Sequence, residues 1–436
     1  MDNFKLTDKI ILECLKELNK NVIKYQKYKD YYEGKHDIYK NYTMQDSRSN
    51  MKIPFNYPRK FVDVETGYLL GKDINYISKS GNQEIIDTID YHMTHWVQEH
   101  DISLRKQSEI YGIAWELNYV DRDGDFKATV LNPLNSYILE DGTVERNAIM
   151  AIYRYQKRFD DNDYIDVFVD NRIITYTVDG DSLKEIDAKT HIFDRVPIIS
   201  CPANAERLSG FHDIIPLIDA FNNLNSDLVN EIADHRNAYL VIENAELKEE
   251  DLVRMKKAGI IQVPNGASVK WLIKDINDQF VQNELNLLEK KIYDLSDQVN
   301  FNENWASNTS GLALKNKLLN LENRIALREA IMENVIKQRL RNFFEYIKVR
   351  EGKEYNYKDV SVQFTRNLPT DLAGLADMVT KLKGTASDET LLAQLPFIAN
   401  PTLELEKRRK EQETERVDLS NFSTDIEDYL GDEDEI

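Results

Sequence analysis

Residues 213–232 read DIIPLIDAFNNLNSDLVNEI, and their spacing decides the architecture. Ile214, Ile215, Leu217, Ile218, Phe221, Leu224, Leu228 and Ile232 recur every three to four positions, the period of one helix face. The pattern predicts a rod over 213–242, roughly 45 Å long at about 1.5 Å per residue. A second rod fills 276–299, starting near Asp278, with Leu285, Leu288, Ile292, Leu295 and Val299 on one face. The stretch between them, 243–275, is mixed. It reads as a helix over 249–258 and two strands, IIQVP (260–264) and VKWLI (269–273), turned by Pro264-Asn265-Gly266. Two long helices carrying a small knob make a stalk with a tip.

Outward from the stalk, Ile10, Ile11, Cys14, Leu15, Leu18, Val22 and Tyr25 predict a helix over 7–33 with Thr7 as its N-cap. A polar, loop-like stretch covers 36–52, and helices follow over 58–70, 83–99 and 102–113. From Trp115 to Cys201 the sequence is strand-rich: ELNYV, FKATVL, AIMAIYRYQKRF, YIDVFVD, RIITYTV and VPIIS. Asp123-Gly124, Asp141-Gly142 and Asp179-Gly180 punctuate these strands. They predict an antiparallel sheet module inserted among helices. Beyond the stalk comes the polar stretch NFNENWASNTSG (300–311), with one aromatic, Trp305. A long helix over 311–346, a strand DVSVQFT (359–365) and helical pieces over 371–382, 388–395 and 401–415 complete the pattern. The fold class is mostly α with an inserted antiparallel β module, α+β. The end, DIEDYLGDEDEI, carries seven acids and no bases, and the acidic tail over 417–436 is expected to be disordered.

Length, at 436 residues, allows two or three domains, and 42% apolar content with a mean hydropathy of -0.55 fits a globular chain with much polar surface. No run of eighteen apolar residues exists, so no membrane helix is expected, and the amphipathic N-terminus is not a signal peptide. Cys14 and Cys201 are too few for a disulfide framework, which points to a reducing cytoplasm. A net charge of -20 argues against gripping nucleic acid by neutralising phosphates. It is compatible with a wall past which DNA slides.

Candidate chemistry fails motif by motif. TGYLLGKD (66–73) has three residues between its glycines where a phosphate loop needs four, and Asp73 stands where a hydroxyl should bind magnesium. It reads instead as a helix ending at Gly71, with Gly67 and Gly71 allowing close packing and chain reversal. His92 and His95, with His100 nearby, have a spacing that holds zinc only with a ligand from elsewhere, so no metal is assigned. Asp121 to Asp125 alternates acids as a calcium loop does, but its glycine comes early and no closing Glu follows, so a hairpin turn is read. No nucleophile elbow occurs. Lys407 to Lys410 is cancelled by neighbouring glutamates. No catalytic residue, metal or cofactor is assigned.

Seven segments carry a resemblance. They are YYEGKHDI (31–38), KIPFNYPRKFVDVETGYLLGKDINY (52–76), VPIISCPANAERLSGFHDIIPLIDAFNNLNSDLVNEI (196–232), NAYLVI (237–242), TSGLALKNKLLNLENR (309–324), FTRNLPTDLAGLADMVTKLKG (364–384) and SDETLLAQLPFIANPTLELEK (387–407). In content and order the chain resembles the portal proteins of tailed double-stranded DNA bacteriophages, in the branch typified by phage SPP1. The resemblance implies a ring of twelve subunits at one capsid vertex of the virion, assembled in the bacterial host cytoplasm. Double-stranded DNA would pass through it during packaging and ejection. It implies docking of the terminase large subunit and head-completion proteins, contacts with major capsid and scaffolding proteins, and no enzymatic activity.

Segment by segment, 1–212 and 311–370 would form the wing, 213–242 and 276–299 the stem, 243–275 the clip and 371–416 the crown. Residues 300–310 would form the tunnel loop, with Asn302, Glu303, Asn304, Trp305, Ala306, Ser307, Asn308 and Thr309 facing DNA and Lys315 and Lys317 beside it. Clip residues Lys248, Lys256, Lys257, Pro264, Asn265 and Lys270 would serve docking. The competing readings are a packaging-associated adaptor or minor capsid protein and a nucleic-acid-processing enzyme.

Overall fold

The computed structural model describes the chain except residues 1–4, 45–47, 181, 236–238, 245–249, 251–252, 255–256, 258–264, 273–277, 301–310, 367–371, 393–394, 396–397, 399–400, 402–403 and 414–436. The chain divides into two compact units. The first comprises Met1–Glu65, Ser103–Leu117 and Thr129–Met332; the second comprises Thr66–Ile102, Asn118–Ala128 and Glu333–Ile436.

The first unit opens with α1 (Asp8–Tyr32), as its spacing predicts. Thr7 holds the extended N-cap conformation, but its side chain makes no capping bond; its carbonyl accepts from the amides of Ile10 and Ile11. Ile11, Cys14, Leu15 and Leu18 pack on a five-stranded antiparallel sheet ordered β4 (Ser136–Glu140), β5 (Ala148–Gln156), β6 (Asp163–Val169), β7 (Arg172–Asp179) and β8 (Ser182–Thr190). The pleat turns alternate residues to one face, so Met150 and Ile152, Ile165 and Val167, and Ile174 and Tyr176 all meet α1. Strands β4 and β8 were not expected. In β8 nearly every side chain is exposed, Lys184, Glu185, Asp187 and Lys189 among them; a charged edge carries no alternating apolar signal and discourages further pairing. The strand-rich region forms two sheets. The other is ordered β3 (Phe126–Leu131), β2 (Ile113–Val120) and β9 (Ile198–Pro202).

The predicted first rod is α5 (Ile215–His235), preceded by a 3-10 turn, and it stops short of the expected Ile242. YLVIE forms β10 (Tyr239–Glu243), which pairs antiparallel with β11 (Ser268–Leu272). Alternating β-branched and aromatic residues with a strand partner outweigh the helical reading. The second rod is α6 (Asp278–Leu295), which packs on α5, and it also ends before the expected Val299. Asp297 turns the chain with φ +55.

Among its described residues, the polar stretch read as a loop contains one helical turn, α2 (Ile38–Asn41), and an extended strap over 49–55 that runs along α5. Ser49, Met51, Ile53 and Phe55 donate their amides to Asp234 Oδ1, Asn230 Oδ1, Ser226 Oγ and Asn222 Oδ1 at 2.9, 2.7, 3.0 and 2.8 Å. Two extended residues advance about 6.6 Å and four helical residues about 6.0 Å, so the two ladders keep step.

Helix α3 (Tyr57–Leu70) ends at TGYLLGKD as expected. Tyr68, Leu69 and Leu70 are buried, and the Gly71 amide returns to the Gly67 carbonyl. A Cβ at Gly67 would meet nothing within 4 Å, so close packing is not the reason for that glycine. The two helices expected over 83–113 are one, α4 (Gln83–Tyr111). His100 and Asp101, read as a break, are buried instead: Asp101 accepts from Arg339, and His100 meets the Trp96 ring edge-on. Gly112 then stops α4. Its φ is +89, and an added Cβ would fall 2.5 Å from the Arg207 carbonyl, so only glycine fits.

In the second unit, β1 (Asn75–Ser78), which was not expected, pairs antiparallel with β12 (Val360–Gln363). Helix α7 (Gly311–Glu351) outruns its expected end at Tyr346. Trp96, Phe343 and Tyr346 pack around the Phe126 ring, edge-on or tilted. The acid-rich loop is the hairpin expected: Asp121 accepts the amides of Asp123 and Asp125, and Arg350 binds Asp125 at 3.0 Å. Of the C-terminal helices, α8 (Leu372–Leu382) and α9 (Asp388–Leu392) lie near their expected bounds, the latter ending before Leu395.

Candidate channel-facing and docking segments

The sequence-predicted residues fall in three groups. Asn302 to Thr309 lie outside the described residues, as do Lys248, Lys256 and Pro264. Lys315 stands in the opening turns of α7, and Lys270 lies in β11, opposite Val241. Lys257 is helical and exposed, and Asn265 is exposed in the turn before Gly266, whose φ is +91. Lys317 is exposed and lines an open recess of about 420 Å³ with Lys290, Asp294, Asp297, Asn300 and Asn320. Mixed charges there offer no cationic grip on phosphate.

The described chain on either side of 301–310 meets in a buried charged junction that sequence reasoning missed. Glu65 comes from α3, Arg105 and Glu109 from α4, and Arg324 and Arg328 from α7. Glu65 Oε2 accepts from Arg324 Nε at 2.9 Å and from Gln298 Nε2 at 3.4 Å, and Oε1 accepts from Arg328 Nε at 3.2 Å. Glu109 pairs with Arg105 one turn earlier and with Arg328 Nε at 3.0 Å. Arg324 Nη2 donates to the Gly210 carbonyl at 2.7 Å, and Arg328 Nη1 donates to that of Ala203.

The fields explain the titration. Burial alone would raise the Glu65 carboxyl, but Arg324, Arg328 and Arg105 outweigh it and hold it below the usual carboxylate range. Burial pulls the Arg105 guanidinium down to about 10 and lowers Arg328 as well. The only hint in sequence is the i, i+4 spacing of Arg105 with Glu109 and of Arg324 with Arg328. Such spacing ordinarily marks a solvated helix face.

Above this junction α6 is anchored by Tyr293, whose ring meets Tyr57 and Phe61 and whose hydroxyl accepts from Lys60 Nζ at 2.6 Å. Its outer face leaves Phe280, Leu287 and Leu295 exposed, and α7 likewise exposes Leu319 and Leu327. Among the described residues no helix is long and apolar enough to cross a membrane.

A solved structure described as the neck of an empty GTA particle, computed with C6 symmetry, is similar over 77% of this chain and 89% of its own, with 10% identity and a TM-score of 0.47. The portal protein of Clostridium phage phiCD119 is 21% identical across 91% of this chain and 95% of its own length. The portal protein of Bacillus phage SPP1 is 22% identical across 90% of this chain and 81% of its own. The family described as phage portal protein, SPP1 Gp6-like, matches residues 11–417. The chain therefore belongs to the SPP1-type family of phage portal proteins.

Proposed function

We propose that this portal protein acts as one subunit of a closed ring at a capsid vertex, with double-stranded DNA moving through the centre. The observation that carries the reading is the stalk: α5 and α6 pack together and carry the β10–β11 sheet between them in the chain. In this reading α5 and α6 are the stem, and residues 243–275 are the clip that meets the terminase large subunit and later the head-completion proteins. Residues 300–310 are the tunnel segment. Residues 1–212 and 311–370 are the wing, and 371–416 the crown inside the head, beside capsid and scaffolding proteins.

Enclosing a duplex requires several copies related by rotation, and twelve is the number the reading carries. The outward Phe280, Leu287 and Leu295 supply apolar surface for a neighbouring copy. A net charge of -20 and an Asn- and Ser-rich tunnel segment favour passage of DNA over retention. The ring supplies no turnover of its own; a separate ATPase drives the DNA.

Negative-stain microscopy of the purified protein should show closed rings, and a monomer or dimer at every concentration and salt would overturn the reading. Deleting residues 302–308 should leave ring assembly intact and cut the DNA packaged into heads. Unchanged packaging would favour the adaptor reading.

A further inference from the structure

We propose that Glu65 is a positioning residue for the channel segment: one buried carboxylate holds both the chain entering residues 301–310 and the helix leaving them. The proposal rests on the portal reading of that segment. Gln298 stands just before it, and Arg324 and Arg328 stand on the helix that follows it. All three donate to the two oxygens of Glu65, at 3.4, 2.9 and 3.2 Å. The carboxylate is buried, and the void among Glu65, Glu109, Ser296, Gln298 and Arg324 is only about 10 Å³, barely one water. A close-packed junction of this kind passes a displacement on to its neighbours rather than absorbing it.

The chemistry requires an acid. A carboxylate accepts at both oxygens, whereas a glutamine accepts at one and presents a donor at the other. With Gln at position 65, the new NH2 group faces either Arg328 or the Arg324–Gln298 pair, and one of those contacts is lost. The arginines then keep other partners: the Gly210 carbonyl for Arg324, and the Ala203 carbonyl and Glu109 for Arg328. The Gln298 side chain has its hydrogen bond to Glu65. In the second orientation neutralising Glu65 releases the chain at the end of helix α6 while α7 stays docked, and removing the Gln298 side chain releases it in either case. That separates positioning from general stability.

Hydrogen exchange of the full-length protein tests this with Glu65→Gln and Gln298→Ala. Glu65→Gln should speed exchange over 291–300 by about ten-fold, the value of one lost charged hydrogen bond, with residues 333–351 unchanged. Gln298→Ala, which leaves every ion pair in place, should reproduce the change over 291–300. In phage assembly Glu65→Gln should give normal numbers of rings and several-fold less packaged DNA. Unchanged exchange over 291–300 in both variants would overturn the proposal. So would faster exchange spread evenly along the chain, or normal packaging despite faster exchange. If the wild-type protein formed no rings, the portal reading would fall; the exchange comparison, run on that same protein, would still decide whether Glu65 holds the two ends.

Discussion

Beneath α1, Met150, Ile152, Ile165 and Val167 bury one face of the five-stranded sheet; where α3, α4 and α7 meet, Glu65, Arg105, Glu109 and Arg328 are buried almost as deeply. Ile165 is 0% exposed and Glu109 is 1% exposed. The first region is held by apolar area, which accumulates roughly methyl by methyl. The second is held by charges that each make the others tolerable, because an isolated buried ion is costly in a way a paired one is not. Losses in the sheet should be graded, and losses at the junction abrupt.

The largest expected effect breaks the junction. Glu65→Ala leaves Arg324 and Arg328 without their shared acceptor and should lower stability by about 3–5 kcal/mol, the usual cost of removing one partner from a buried ion pair. Urea unfolding would show it, and a loss below about 1 kcal/mol would mean that water already compensates those arginines.

Between the two extremes lies a neutral polar cluster. His36 is fully buried, stacked on Tyr31 at 4.7 Å; one ring nitrogen meets the Tyr31 carbonyl and the other meets the Asn222 amide. Asn222→Ala strands both His36 and the Phe55 amide and should cost about 2 kcal/mol.

The same cluster has a pH signature. Burial lowers the His36 pKa from 6.5, while Tyr31 and Asp37 oppose that shift. The unfolded chain therefore takes up the proton first, and stability is full above about pH 6.5 and declines as pH falls below it. Asp219, which accepts from Tyr31, is raised by burial, so it works in the opposite direction, at pH values above its unfolded 3.8. His36→Asn should flatten the urea midpoint between pH 7.5 and 5.5; an unchanged slope would remove His36 as the sensor.

The apolar sheet gives the graded comparison. Ile165→Val, at a fully buried site, should cost about 1 kcal/mol.

The contrast also explains what could be read from sequence. The α1 stripe, β5, β6, β7 and the α5 apolar face announce themselves by period, because burial of apolar side chains leaves a repeating trace. β8 leaves none because its side chains are exposed, and β10 was absorbed into a helix because YLVI satisfies either reading until Ser268–Leu272 supplies a partner. The polar stripe Asn222, Ser226, Asn230 and Asp234 was present at helical spacing, but its meaning depends on the strap that it binds. Glu65 lies within KIPFNYPRKFVDVETGYLLGKDINY, and nothing in that segment marks it as buried. Its partners lie 259 and 263 residues away in the chain.

The smallest effect tests the sheet side at its margin. Thr7 occupies the N-cap of α1, a position where a hydroxyl normally satisfies an amide, and replacing such a residue by alanine typically costs about 1 kcal/mol. Here the side chain makes no capping bond, and the carbonyl that receives Ile10 and Ile11 is backbone, which alanine retains. Thr7→Ala should therefore change stability by less than about 0.5 kcal/mol, the ordinary range for a surface position. A full capping loss would show that the hydroxyl caps in solution. α1 would then be held on the sheet by a polar contact at its start as well as by Ile11, Cys14, Leu15 and Leu18, and the division between apolar sheet and polar junction would be less complete.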